Sequence, residues 1–198
     1  MPTQVKNAAP DVLAIAGSLR VGSINRRLLL AAAGLATPGM RVRLYDDLAS
    51  VPFFSEDTEA AGVPAAVQDL REQVARADAL LIATPEYNQS VPGVLKNVID
   101  WLSRPPEECL VNKPVAIIGA SAGRWGTRLA QSHLRHVLYA TEALVMPQPS
   151  LFIAGGHELV DGEGRLVDER TTDALRQLLD AFNGWIARNG TRSGAATG

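Results

Sequence analysis

The chain has 198 residues, the size of one ordinary domain, with 19 basic and 21 acidic side chains and a net charge of −2. That balance argues against a nucleic-acid surface, and a single cysteine excludes an internal disulfide or a cysteine-built metal site. No apolar run approaches the ~18 residues of a membrane span, and the first ten residues lack the apolar stretch of a secretory signal, so a cytoplasmic protein is expected.

Residues 1–10 read as a flexible lead-in and 189–198 as a flexible tail, leaving 11–188 as one domain. Within it the pattern alternates between strand and helix. Residues 12–16 form a short apolar strand ending at Gly17. Residues 25–36 follow as a helix with Leu28, Leu29, Ala32 and Leu35 on one face, stopped by Thr37-Pro38-Gly39. Residues 40–45 alternate apolar Met40, Val42 and Leu44 with Arg41 and Arg43, the pattern of a half-exposed edge strand. A long loop, 46–63, leads to a helix opened by Pro64 and carrying Val67, Leu70 and Val74.

Residues 79–84 are continuously apolar, as in a central parallel strand. The loop 85–92 precedes a helix over 93–103 with Leu95, Val98, Ile99 and Leu102 inward. A second central strand covers 115–120, and the loop 121–126 leads to a helix ending near Tyr139. A fifth strand covers 143–146, an excursion spans 148–167, and a last helix covers 172–188. Five strands alternating with five helices predict an α/β doubly wound, five-stranded parallel sheet of order 2-1-3-4-5 with helices on both faces. Ligands then sit beyond the carboxyl ends of strands 1 and 3, where the loops 17–25, 84–92 and 120–126 meet.

The first loop, Gly17-Ser18-Leu19-Arg20-Val21-Gly22-Ser23-Ile24-Asn25, enters a helix N-terminus, where backbone N–H groups and the dipole favour an anion. Ser18 and Ser23 offer hydroxyls, Arg20 a charged fork, and Asn25 either a helix cap or a ligand contact. The loop lacks the lysine of GxxxxGK[ST] and the spacing of GxGxxG, and it suits a terminal phosphate monoester better than a diphosphate. Asp46 and Asp47 end the second strand, where a dinucleotide fold places its ribose-binding acid.

In the second loop, Pro85-Glu86-Tyr87-Asn88-Gln89-Ser90-Val91-Pro92-Gly93, two prolines and a glycine stiffen the backbone. Tyr87 adds an aromatic face, and Asn88 and Ser90 add hydrogen-bonding groups for a planar heterocycle. Gly119-Ala120-Ser121-Ala122-Gly123 fits G-x-S-x-G, but no acid is placed to complete a triad with Ser121 and a histidine, so a hydrolase is set aside. His133 and His136 make at most half a metal site, His157 adds little, and nothing marks Cys109 as activated. Trp101 and Trp185 suit core or subunit contacts, and the sequons at Asn88 and Asn189 carry no weight without a secretory signal.

Taken together, these residues resemble the NADPH-dependent FMN reductase family, a flavodoxin-like group that includes chromate, quinone and azo-dye reductases. The similarity covers about residues 11–188. Its first motif, GSxRxxSxN, is matched by Gly17, Ser18, Arg20, Ser23 and Asn25. Its second, PEYNxSxPGxLKNxIDW, is matched across 85–101 at every defined position. Its third, near SxGxxGxxRAQxxLR, is matched at Ser121, Gly123, Gly126, Ala130, Gln131, Leu134 and Arg135, but Leu129 stands where the family has arginine.

The resemblance implies FMN held by its phosphate at Ser18, Arg20, Ser23 and Asn25. It places the ring against Pro85, Glu86, Tyr87 and Asn88, with Ser121 and Gly123 near the other edge. It also implies NADPH or NADH as co-substrate and ping-pong hydride transfer to a quinone, azo, nitro, chromate or free-flavin acceptor. No catalytic side chain and no metal are expected, and the assembly implied is a homodimer or homotetramer. The alternative is an electron-transfer or flavin-binding protein without its own turnover, against which the near-neutral charge counts, since flavodoxins are usually strongly acidic.

Overall fold

The computed structural model describes residues 9–36, 39–156, 159, 161 and 166–190. The lead-in before residue 9, Thr37-Pro38, His157 and the tail from 191 onward lie outside the described residues.

Strands β1 (Asp11–Ala16), β2 (Arg41–Tyr45), β3 (Ala79–Ala83), β4 (Pro114–Ala120) and β5 (Leu144–Val145) lie in the order β2-β1-β3-β4-β5. Every pairing is parallel; Leu13 sits beside Arg43 on one side and Leu80 on the other, and Leu80 sits beside Val115. Period-2 alternation divides the core between two faces. Leu13, Ile15, Leu80, Ile82, Val115 and Ile117 pack under α3 (Ala65–Arg76), α4 (Gly93–Leu102) and α5 (Arg128–Ala140). Val12, Ala14, Leu81, Ala116 and Ile118 pack under α1 (Ile24–Leu35) and α6 (Glu169–Asn189). β3 and β4 are buried along their whole length, while β2 keeps an exposed end, as expected of an edge.

Two stretches read as loops are structured. The segment 46–63 contains a 3-10 turn (Leu48–Ser50) and the short helix α2 (Glu56–Ala61). Within the excursion 148–167 lies a sixth strand, β6 (Leu151–Ile153), which pairs with Ile118, Gly119 and Ala120 of β4. β5 and β6 therefore share one edge of β4, β5 along its first half and β6 along its last. Pro147 and Pro149 have no N–H for a ladder, which explains why one continuous strand does not form. α6 begins three residues before the expected 172, because the Asp168 carboxylate accepts the Thr171 N–H at 2.8 Å and caps it.

The segment after β2 is fastened to α4 through its backbone. The Pro52 carbonyl accepts hydrogen bonds from Asn97 Nδ2 at 2.9 Å and Trp101 Nε1 at 2.8 Å, and the Phe54 N–H donates to Asn97 Oδ1 at 2.7 Å. Phe54 packs edge-on against the fully buried Trp101, with ring centres 5.0 Å apart. Phe53, between these anchors, is 81% exposed. Trp101 thus takes the core role, and Trp185 donates its Nε1–H to the Leu144 carbonyl at 2.9 Å.

Candidate functional site

The loops after β1, β3 and β4 meet at the carboxyl end of the sheet. Gly17 leaves β1 with its N–H on the Ala83 carbonyl of β3 at 2.8 Å. A Cβ at this position would lie 2.9 Å from Leu95 Cδ2, so a side chain here would push Leu95 of α4 aside. Ser23 caps α1, its hydroxyl accepting the Arg26 N–H at 3.2 Å. The Ser18 hydroxyl accepts the Arg20 N–H at 3.3 Å, and the Arg20 side chain lies in solvent. Free N–H groups of the first α1 turn, the Ser18 hydroxyl and the Arg20 guanidinium form a donor set for a phosphate dianion.

Asn25 has a different duty from a phosphate contact through its side chain. Its amide is 3% exposed and brackets the last residue of β4: Nδ2 donates to the Ala120 carbonyl and Oδ1 accepts the Ala120 N–H, both at 2.9 Å. It ties the first loop to the third. The acids after β2 are engaged locally, Asp46 with Arg26 at 2.8 Å and Asp47 with the Ser50 hydroxyl. A cleft of about 280 Å³ opens there beside Ser18, Arg20, Arg26 and Asp46. Tyr45 adjoins it with its hydroxyl buried and unpartnered among the described residues. Burial first, then the charges of Asp69 and Asp47, push its pKa up to about 12.

The second loop folds into a tight hairpin. Tyr87 and Ser90 exchange two backbone hydrogen bonds at 3.1 and 3.0 Å, with Asn88 and Gln89 at φ 49° and 62° between them. Positive φ at both central positions is the two-residue turn that Asn tolerates and Gln adopts only under tertiary constraint. Pro85 is buried beneath it, while Tyr87 is half exposed and its hydroxyl oxygen lies 3.4 Å from Ser18 Oγ. The anion cradle and an aromatic edge therefore touch.

Glu86 faces elsewhere. Its Oε2 accepts the N–H groups of Leu129 at 2.9 Å and Ala130 at 3.0 Å, at the start of α5. In the third loop the Ser121 hydroxyl donates to the Gly126 carbonyl at 2.7 Å, so it is an internal brace, and Ser121 N–H donates to Ile153 of β6 at 3.0 Å. Gly123 stands exposed at the tip. His133 Nδ1 lies 3.1 Å from Ser90 Oγ, and no cluster of three metal-ligating side chains exists among the described residues. Burial pushes the Cys109 thiol up, away from reactivity.

Sequence reasoning placed the three loops but missed Glu86 and Asn25 as ties between them. A phosphate cradle abutting a flat, rigid hairpin at the switch point of a 2-1-3-4-5 sheet defines a flavodoxin-like protein, and the donor set fits the phosphate of FMN.

Residues 10–158 match the NADPH-dependent FMN reductase family, and the chain belongs to it. It is an FMN-dependent oxidoreductase that uses NAD(P)H. It is 48% identical over 177 residues to an NAD(P)H-dependent FMN reductase of Pseudomonas aeruginosa, covering 89% of this chain and 95% of that protein. It is 40% identical over 180 residues to a quinone reductase of Escherichia coli, covering 90% and 96%. The structure of the flavoenzyme NAD(P)H:(acceptor) oxidoreductase FerB from Paracoccus denitrificans superposes with a TM-score of 0.85 at 34% identity, over 92% of this chain and all of that one.

Proposed function

We propose that this protein oxidises NADPH or NADH and reduces a quinone-type acceptor through FMN held across the three loops. The observation that carries the reading is the 3.4 Å approach of Ser18 Oγ to Tyr87 Oη, which joins the anion cradle to the hairpin in one continuous surface. The quinone reductase relative supports the acceptor class. Bound FMN supplies the redox chemistry, and the protein supplies binding and orientation. Ser18, Arg20 and Ser23 line the phosphate end, and Asn25 holds that loop against the third. Pro85, Tyr87 and Asn88 present the rigid platform for the ring, which Ser121 and Gly123 close from the other side.

NAD(P)H and the acceptor use the same open face in turn, giving ping-pong kinetics. Azo, nitro, chromate and free-flavin acceptors belong to the same proposal, because a site without a catalytic side chain selects by fit. Residues 11–188 act as one domain in the cytoplasm, where the reductant is regenerated. A homodimer or homotetramer is supported by large apolar side chains left in water at Phe53, Trp125 and Tyr139.

The purified protein tests this directly. It should carry flavin absorbance or take it up with FMN, and should oxidise NAD(P)H with a quinone along parallel double-reciprocal lines. No flavin uptake, or intersecting lines, overturns the reading.

A further inference from the structure

We propose that Glu86 is a positioning residue, whose carboxylate is the N-cap that α5 lacks and so sets the gap between the two loops bracketing the FMN ring. The inference rests on the FMN reading above. α5 begins at Arg128, and Thr127 before it makes no side-chain cap; its hydroxyl accepts a hydrogen bond from Gln131 Nε2 at 2.9 Å instead. No acidic residue lies in the first turn of α5. The first-turn N–H groups and positive end of this helix are met from another loop, by Glu86 Oε2 on Leu129 and Ala130.

A single carboxylate from a loop 43 residues earlier thus replaces the local serine, threonine or aspartate that helices ordinarily use. Its backbone is stiff, because the buried Pro85 precedes it and the doubly bonded Tyr87–Ser90 hairpin follows. One helical turn beyond Leu129, His133 meets Ser90 at 3.1 Å, so the hairpin docks on α5 at two successive levels. The third loop runs directly into the same helix end. Moving Glu86 off α5 therefore changes the distance between hairpin and third loop, while Glu86 itself bonds to none of the phosphate cradle's donors.

Flavin titration of the full, flavin-stripped chain tests this, using both FMN and riboflavin. Glu86→Ala should lose about tenfold in affinity for both flavins alike, as loss of a good cap implies. Glu86→Gln keeps an acceptor oxygen and should restore affinity to within about threefold of the original. Arg20→Ala, acting at the phosphate, should weaken FMN and leave riboflavin unchanged. Amide exchange at Leu129 and Ala130 should quicken in Glu86→Ala and not in Glu86→Gln. The proposal is overturned if Glu86→Ala binds both flavins as the original chain does, if its loss is confined to FMN, or if Glu86→Gln loses as much. A starting chain that binds neither flavin overturns the FMN reading, and unchanged amide exchange in the flavin-free Glu86→Ala chain overturns the cap.

Discussion

Asn25→Ala removes both hydrogen bonds that hold the start of α1 to the end of β4, two segments 95 residues apart in the chain. The substitution leaves the Ala120 N–H and carbonyl buried and unpaired, and each such group costs about 1–3 kcal/mol. Partial relaxation toward water at the loop end reduces the sum, so a loss of about 3 kcal/mol is expected. For a domain of this size that corresponds to a fall in Tm of roughly 6–12 °C. Asn25→Asp sharpens the test. An ionised carboxylate still accepts the Ala120 N–H, but it sets an oxygen against the Ala120 carbonyl where Nδ2 had donated. Burial and that carbonyl raise the new carboxyl's folded pKa above its unfolded value, so the variant's deficit should shrink as pH falls and the protonated group donates again. Urea denaturation at saturating FMN and without it, at acidic and mildly alkaline pH, measures both effects. An Ala variant within about 0.5 kcal/mol of the original, or an Asp variant with a pH-independent deficit, refutes the reasoning.

Three further outcomes follow from the same geometry. Arg20→Ala should weaken FMN by about 1.5–3 kcal/mol, the worth of a charged hydrogen bond, and equilibrium titration at fixed salt checks it. Tyr45→Phe should raise stability by about 1 kcal/mol at neutral pH, since the hydroxyl it removes is buried and has no partner among the described residues. Below pH 10 the phenol is neutral in both folded and unfolded chains; with the folded pKa raised to about 12 from 10.0, the unfolded chain ionises first and stability falls as pH rises from 10 to about 12. Denaturation across that window should therefore show a decline that the Phe variant lacks. Gln89→Gly should add about 1 kcal/mol by relieving φ 62° in the hairpin, read as a raised denaturation midpoint with unchanged slope.

Much of the fold was legible because each element reports its own buried face. The unbroken run through β3 and the alternation through β2 place them at centre and edge without any knowledge of neighbours. β6 was not legible, since three residues after a pair of prolines carry no period. The ligand loops were legible from glycine, proline and hydroxyl spacing at strand ends. The roles of Glu86 and Asn25 were not, because their partners lie 43 and 95 residues away and are backbone groups, which leave no mark on side-chain pattern. Leu129 shows the converse. It departs from the family's arginine, yet the atom Glu86 uses there is its N–H, which any residue except proline provides.

The mount on α4 works by the same economy. Asn97 and Trp101 grip the carbonyl of residue 52, and Asn97 holds the N–H of residue 54; neither grip reads a side chain at residue 53. Position 53 is therefore an interchangeable tip on a fixed holder. Substitutions there alter what the protein shows to its surroundings while the holder, built from motif residues, keeps the tip at the same height.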